Sequence, residues 1–327
     1  MAALGEPATR AAFDAWLARG YHGDMAYLDG PGADLRRDSR RPHAGATHAL
    51  VLAISYGGRE PRGPVARYAR GDDYHELLRE RVRSLHHWLE RETGERIDAR
   101  PYVDSGPILE RDLAQRAGLG WFGKNTMLIN PRVGSHLFLA SLFVNYELAV
   151  DEPFAADRCG TCTRCLDACP TQAFAGPRVL DATRCISYLT IEHRGAIPEA
   201  LRPLVGDWLY GCDVCNDVCP WNESFAATLQ EPAFAARPLF AEMASRDGTR
   251  ALARELLMMG PTEYATAFKS SAIKRAKLWM LQRNACVVLG NIGTEEDLAV
   301  LAAVAETHAH ELVREHAAWA MGRISAP

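Results

Sequence analysis

The spacing of apolar and polar positions divides the chain into a mixed first half, a cysteine-rich middle and a helical end. His48 to Tyr56 (HALVLAISY) is a short apolar run flanked by turn residues and predicts a buried strand. Arg70-Gly71-Asp72-Asp73 then leads into an amphipathic stretch that runs to Glu92, with Asp72 or Asp73 as its cap. Ala99 to Val103 predicts a second strand, Ile108 to Ala117 a helix and Thr126 to Ile129 a third strand. Ser135 to Glu147 (SHLFLASLFVNYE) is a longer apolar run and predicts the central strand of a sheet. Asp151-Glu152-Pro153 marks a boundary, and after Pro220 the pattern turns helical.

Near the end the pattern repeats: Asn284-Ala-Cys-Val-Val-Leu-Gly290 matches His316-Ala-Ala-Trp-Ala-Met-Gly322. Small and apolar residues recurring at about this period mark HEAT-like helical repeats, and two copies predict a cap packed on the body; two unrelated amphipathic helices are the alternative. The expected organisation is therefore an α/β (α+β) unit over 1–150, a cysteine segment over 151–225 and a helical unit over 226–327.

Composition is that of an ordinary globular protein, with 48% apolar and 24% charged residues. A net charge of −4 announces no global attraction to nucleic acid, so any basic footprint must be local. Met1 to Ala15 is interrupted by Glu6, Arg10 and Asp14 and has no apolar core of a secretory signal, and no apolar run reaches membrane-spanning length. A cytoplasmic protein is expected, and a monomer, since nothing in the chain signals an interface.

The cysteines carry the clearest chemistry. Eight of the nine fall between Cys159 and Cys219, which argues against a disulfide framework spread over a secreted fold; Cys286 stands alone in a helical apolar run and reads as core. Cys159-x2-Cys162-x2-Cys165-x3-Cys169-Pro170 follows the bacterial ferredoxin run, in which three cysteines wrap one cubane and the fourth reaches the other. The second run, Cys212-x2-Cys215-x3-Cys219-Pro220, holds Leu209 where its first cysteine belongs, and Cys185 is the cysteine left to replace it. The predicted sets are Cys159, Cys162, Cys165 and Cys219 for one [4Fe-4S] cluster and Cys169, Cys185, Cys212 and Cys215 for the other. A pair of structural zinc sites also uses C-x2-C spacing, but does not call for a three-cysteine run or two Cys-Pro endings.

Clusters move single electrons, and a whole α/β unit precedes them. Tyr68-Ala-Arg-Gly-Asp-Asp-Tyr-His75, Val103-Asp-Ser-Gly-Pro-Ile-Leu-Glu-Arg111 and Ala117-Gly-Leu-Gly-Trp-Phe-Gly-Lys-Asn125 lie in that unit. Arg184-Cys-Ile-Ser-Tyr-Leu-Thr190, Leu209-Tyr-Gly-Cys-Asp-Val-Cys215, Arg283-Asn-Ala285 and Leu289-Gly-Asn291 follow. In this order and over nearly the whole chain, these stretches resemble the epoxyqueuosine reductases, bacterial enzymes that complete queuosine in the tRNA anticodon. The resemblance implies a cobalamin held base-off between the α/β unit and the cysteine segment. The Asp-x-His-x-x-Gly motif that gives cobalt a histidine elsewhere is absent, which suits that mode. The chain opens almost at Ala11-Ala-Phe-Asp-Ala-Trp16, where family members carry a further helix and strand, so an exposed sheet edge is expected.

Several site residues follow from the resemblance. Asp104 would protonate the departing epoxide oxygen, which requires a pKa raised by burial; from the residues alone it reads as a cap for a helix starting near Pro107. Arg36, Ala66, Leu128, Leu139 and Ser187 would line the cobalamin. Tyr74 and His75 face the same region, and Lys124 and Asn125 follow a Gly-rich turn. Lys269, Lys274, Arg275, Lys277 and Arg283 fall with Trp279 in a stretch without acidic residues; alone they read as a solvated helix face, and with the resemblance as the surface for the anticodon stem-loop, with Arg194 nearer the site. A ferredoxin or flavodoxin is the implied electron donor. Two other functions share parts of this pattern. A cobalamin-dependent reductive dehalogenase is typically exported with a twin-arginine signal and lacks the helical tail, and a pure iron–sulfur electron-transfer protein would bind neither corrin nor tRNA.

Overall fold

A computed structural model describes residues 1–326, so Pro327, the last residue of the expected helical unit, lies outside the described residues. The chain runs through β1 (Ala2–Ala3), α1 (Arg10–Ala18), α2 (Pro31–Arg36), β2 (His48–Ser55), α3 (Tyr74–Thr93) and β3 (Ala99–Tyr102). It continues with α4 (Glu110–Arg116), the two-residue strands β4 (Trp121–Phe122) and β5 (Leu128–Ile129), and β6 (Leu137–Val144). The cysteine segment carries α5 (Arg164–Asp167), β7 (Phe174–Gly176), β8 (Val179–Leu180), α6 (Ile186–Ile191), α7 (Arg202–Val205), α8 (Val214–Asp217) and α9 (Pro220–Phe225). Five helices close the chain: α10 (Arg246–Met258), α11 (Pro261–Ala267), α12 (Leu278–Ile292), α13 (Leu298–Thr307) and α14 (Glu311–Ile324).

The main sheet has the order β1-β2-β6-β3 and is antiparallel throughout. Successive side chains of β6 alternate between two cores, as strand geometry requires. Phe138, Ala140, Leu142 and Val144 meet Leu78, Val82 and Leu89 of α3, while Phe143 packs with Ala49, Tyr102, Ile108 and Leu113 toward α4. The long apolar run is thus the interior strand, as its pattern predicts. β2 departs from expectation: Leu52 and Ala53 are exposed, and β1 pairs only with Ala49 and His48, which leaves the rest of that edge open. Asp73 begins α3 by accepting the His75 N–H, and Gly94, in the left-handed region at φ 69°, ends it.

The cysteine segment is tied to the sheet unit by a buried ion pair. Arg67 donates its backbone N–H to Oδ2 of Asp213 at 2.8 Å and its guanidinium to the same oxygen at 3.1 Å. Alongside, the Ala66 N–H donates to the Tyr210 carbonyl at 2.9 Å and the Leu209 N–H to the Pro64 carbonyl at 2.7 Å.

In the helical end every residue from Met280 to Gly290 is buried. The two halves of the sequence repeat face each other there: a Cβ on Gly290 would lie 2.4 Å from the Trp319 ring and 3.0 Å from Cα of Ala320. Val287 joins the core of Leu189, Val205 and Trp208, and Nε2 of His316 accepts the Ile197 N–H at 3.1 Å, so these helices sit on the body. No helix of the described residues is long and apolar enough to cross a membrane.

Candidate functional site

The first cysteine loop is held by residues of the β4–β5 turn. Nζ of Lys124 donates to the carbonyls of Gly160 at 2.7 Å and Cys162 at 2.9 Å, and Nδ2 of Asn125 donates to the Cys215 carbonyl at 3.3 Å. Trp121 is buried, donates its indole N–H to Sγ of Cys159 at 3.4 Å, and packs against Phe154 and Trp221. What sequence reasoning left as a Gly-rich turn is therefore an anchor for both cysteine runs. The signal that could have found it is the combination of a tryptophan, a lysine and an asparagine in one short turn.

Sulfur neighbours fall into two adjacent groups. Burial pushes the Cys165 thiol up, and the charges of Cys219, Cys159 and Cys162 push it further. Burial likewise raises Cys212, which the charges of Cys185 and Cys169 also reach. Cys215 is raised by burial, by Cys212 and Cys185, and by Cys165 of the other group. Thiols raised in this way become thiolates only against a strong cationic partner. The soft all-sulfur donor set fits iron–sulfur clusters, and N–H groups already aim at the sulfurs, as from Ala173 to Cys169 at 3.3 Å.

A second constellation of titratable groups lies where α3 begins. Asp104 does not cap a helix: α4 starts at Glu110 and has no side-chain cap. Instead Asp104 takes a left-handed backbone at φ 54°, and its N–H donates to Oε1 of Glu110 at 2.8 Å. Its Oδ2 lies 3.2 Å from Nε2 of His75, whose Nδ1 lies 2.7 Å from Oδ1 of Asp73. The His75 ring stacks on Tyr74 at 4.0 Å, and Tyr74 stacks on Phe138 of β6 at 4.0 Å, so the sheet core fixes the histidine.

The charges of this cluster correct one expectation. Burial acts to raise the Asp104 pKa, but the hydrogen bond and charge of His75 outweigh it and hold the carboxyl below its ordinary range. The side chain is 62% exposed, which leaves the carboxylate solvated. Contact with His75 therefore favours the carboxylate form of Asp104, where the expected role called for a raised pKa. Protons reside beside it. Burial opposes charge on His75, yet the hydrogen bonds to Asp104 and Asp73 prevail and raise it to about 9. Burial, with the charge of Asp104 second, pushes Glu110 up to about 8.

The residues expected to line a corrin scatter in their exposure. Arg36 is buried at the end of α2, donates to the carbonyls of Tyr27 and Gly32 at 3.0 Å, and lies within electrostatic reach of Glu110 and Asp104. Ala66 and Leu128 are closed off by packing, at 1% and 3% exposure, while Leu139 and Ser187 are half-buried. Leu139 pairs with the exposed Ala53 across β2. Two residues along the same face, Ser141 buries a hydroxyl with no hydrogen-bond partner. An open apolar patch beside an unsatisfied hydroxyl suits a large ring with amide-bearing edges.

Arg283 corrects the basic surface. Its side chain is buried and donates to the carbonyls of His193, Gly195 and Leu189 at 2.6–2.8 Å, with Oδ1 of Asn284 also accepting. Burial pushes its pKa down to about 9. It staples α12 to the cysteine segment and cannot meet a phosphate. Lys269, Lys274, Arg275, Lys277 and Arg194 are exposed. Arg275 donates to both carboxylate oxygens of Glu192, at 2.7 and 2.9 Å, and lies 5.2 Å from the ring of the exposed Tyr27, which Arg36 also approaches.

Residues 158–222 match the family model of the 4Fe-4S double cluster binding domain, and residues 36–105 match that of epoxyqueuosine reductase QueG, DUF1730. The epoxyqueuosine reductase of Pseudomonas aeruginosa is 40% identical over 94% of this chain and 85% of its own length. A crystal structure of epoxyqueuosine reductase with an epoxyqueuosine-modified tRNA-Tyr stem loop is 30% identical, covers 99% of this chain and 85% of its own, and superimposes with a TM-score of 0.87. The Bacillus subtilis enzyme, solved with its catalytic aspartate loop swung out of the active site, is 30% identical over 99% of this chain and 86% of its own, at a TM-score of 0.85.

Proposed function

The chain belongs to the epoxyqueuosine reductase family, and from that premise we propose how it reduces epoxyqueuosine at the wobble position of tRNA to queuosine, the last step of queuosine biosynthesis. The observation that carries this reading is that a double-cluster segment and an ionisable cluster centred on Asp104 are both anchored on one sheet unit.

Removing an epoxide oxygen consumes two electrons and two protons and leaves an alkene and water. Electrons enter from a one-electron donor such as a ferredoxin or flavodoxin. Cys159, Cys162, Cys165 and Cys219 would hold one cluster and Cys169, Cys185, Cys212 and Cys215 the other, and the pair would supply one-electron transfer; the two groups of sulfur neighbours support this division. Arg36, Leu139 and Ser187 would hold a base-off cobalamin, with Ala66 and Leu128 giving backbone and apolar support. When bound, that cofactor supplies a low-potential metal centre for the reductive step. Asp104 delivers a proton to the departing oxygen. Its exposure leaves it open to substrate, and the relative whose catalytic aspartate loop swings out offers a parallel for a carboxylate carried on a strained loop.

Lys269, Lys274, Arg275, Lys277 and Arg194 would meet phosphates of the anticodon stem-loop, which would turn the loop's bases toward Tyr27 and Asp104. The division into a cobalamin and substrate unit at 1–150, a two-cluster ferredoxin-like unit at 151–225 and a HEAT-like unit at 226–327 belongs to the same proposal, as does a cytoplasmic monomer. The test is a single-turnover assay of reconstituted, reduced protein with cobalamin and epoxyqueuosine-containing stem-loop, followed by digestion and mass detection of queuosine. Conversion that is lost in Asp104→Ala with clusters intact is expected. Absence of conversion with clusters, cobalamin and stem-loop all bound sinks the reading.

A further inference from the structure

The reaction needs two protons, and Asp104, the carboxylate open to substrate, can pass them to oxygen only one at a time. Opening the epoxide breaks one C–O bond and puts a proton on oxygen; breaking the second C–O bond releases that oxygen as water after a second proton arrives. The two electrons come from the external one-electron reductant through the clusters. Between these events the Asp104 carboxylate must be recharged from a donor within hydrogen-bond distance.

The geometry points to His75 as that donor: we propose that Asp73, His75 and Asp104 form a proton relay, in which Nε2 of His75 passes a proton to Oδ2 of Asp104 and Asp73 fixes the ring through Nδ1. This rests on the epoxide-reduction reading above. Three observations carry it. Both ring nitrogens face carboxylate oxygens, at 2.7 Å and 3.2 Å, so the ring is oriented at each end. The ring stacks on Tyr74, which itself stacks on Phe138 of the sheet core, so its plane is held from one side. Finally, Asp104 and Asp73 differ in exposure, at 62% and 23%, so the relay runs from a sheltered carboxylate to one open to substrate.

The charged groups around His75 favour the proton there. Asp73 lies at its own helix start, with Arg79 one turn on, bonded to Ser105 at 2.7 Å. From the facing loop come Asp104, Glu110 and Arg111, and Tyr74 is driven to its neutral form by burial. On the far side of the helix start, Arg237 is occupied by Asp72 at 2.8 Å and by the Ser270 carbonyl. Two carboxylates in direct contact outweigh more distant cations, which agrees with a ring that stays protonated to about pH 9. After transfer, the ring keeps its Nδ1 proton against Asp73 and is recharged at Nε2 from solvent.

His75 acts through Asp104, so its signature is in protonation and not in binding. Single-turnover conversion by the reduced holoenzyme should fall roughly a hundredfold in His75→Gln, which keeps a hydrogen-bonding side chain but cannot carry the proton. Stem-loop affinity and iron content should hold within twofold. The alkaline fall in rate near pH 9 should vanish, and added imidazole should restore part of the rate in His75→Ala. An unchanged rate and pH profile in His75→Gln overturns the relay, and so does a loss of rate that follows stem-loop affinity and resists imidazole. A readout independent of turnover separates this from failure of the epoxide reading: histidine-labelled NMR of the oxidised holoenzyme. A His75 ring that titrates far above the ordinary histidine value, and falls when Asp104→Asn removes the charge, supports the relay even in a protein that converts no epoxyqueuosine. A ring that titrates normally and ignores Asp104→Asn overturns it.

Discussion

Oε1 of Glu110 accepts the backbone N–H of Asp104 at 2.8 Å, six residues along the same loop, and so pins a residue whose φ of 54° lies in the left-handed region. An aspartate tolerates that region better than most residues, but a conformation of this kind persists only when its surroundings hold it. The Glu110 carboxyl is the group that does so on the backbone side, while His75 holds the side chain.

Replacing Glu110 should therefore disturb the loop according to what is left to accept the N–H. Glu110→Gln keeps an oxygen acceptor and should retain most of the activity; Glu110→Ala removes the acceptor of the Asp104 amide and should lower the single-turnover rate about fivefold, since one such hydrogen bond contributes about 1 kcal/mol. Conversion rates of the two variants at saturating stem-loop check this, and equal rates would remove the pinning role.

The same carboxyl sets a pH dependence whose sign is fixed. Burial raises the folded-state pKa of Glu110 to about 8, above its ordinary value. The folded state therefore binds more protons than the unfolded one between those values, and its stability falls as pH rises toward and through about 8. The stabilising contribution is fully present only below the ordinary glutamate pKa. Urea midpoints at pH 6 and pH 9 should converge in Glu110→Gln relative to the parent, and a parent whose loss between pH 6 and pH 9 is no larger than the variant's contradicts the assignment.

The interleaving of the cysteine sets makes double substitutions diagnostic. Pairing Cys185→Ala with Cys212→Ala disables one cluster and should leave about four irons per chain of about eight. Pairing Cys185→Ala with Cys219→Ala disables both and should leave almost none. Iron and sulfide analysis of the reconstituted proteins decides between this division and one in which Cys219 joins Cys212 and Cys215.

Local signals and distant ones fared differently in the sequence. The α3 helix, its Asp73 cap and the interior strand β6 are legible because periodicity and capping are properties of neighbouring residues. The cysteine spacing is legible for the same reason: a cubane is wrapped by one short loop. Asp104 was placed at the site only through the resemblance, and its carboxylate form is favoured by His75, a contact across 29 residues. β2 reads as buried because its composition is apolar, yet whether Leu52 and Ala53 are covered depends on which distant elements pack over that part of the sheet. Arg283 was misassigned because a basic stretch looks uniform in sequence, while three carbonyls from the segment 189–195 take this one guanidinium inside.

Substituting Arg283 should accordingly act on the fold and not on RNA. Arg283→Ala leaves buried carbonyls of His193, Gly195 and Leu189 without a donor. A cost of about 3 kcal/mol is expected, since each orphaned buried group is worth 1–3 kcal/mol before relaxation. Thermal unfolding of the cluster-loaded protein should shift down by several degrees, and the salt dependence of stem-loop binding by the folded fraction should keep the parent slope. A variant with parental stability and a reduced slope would return Arg283 to the RNA surface.

Lys274 and Lys277 carry the converse prediction. Both are exposed, and among the described residues neither has a carboxylate within ion-pair distance, whereas Arg275 between them is held by Glu192. A cation already paired releases fewer counterions when it meets a phosphate, so the unpaired lysines should dominate the electrostatic part of binding. Lys274→Ala and Lys277→Ala should each weaken stem-loop binding a few-fold at low salt and reduce the slope of log K against log salt by about 0.7–1. Arg275→Ala should change the slope less while also removing the guanidinium beside Tyr27. Filter-binding or anisotropy titrations from 50 to 200 mM salt resolve slopes of this size. If all three variants keep the parent slope, the stem-loop approaches from another face, and the exposed lysines of this stretch serve only solvation.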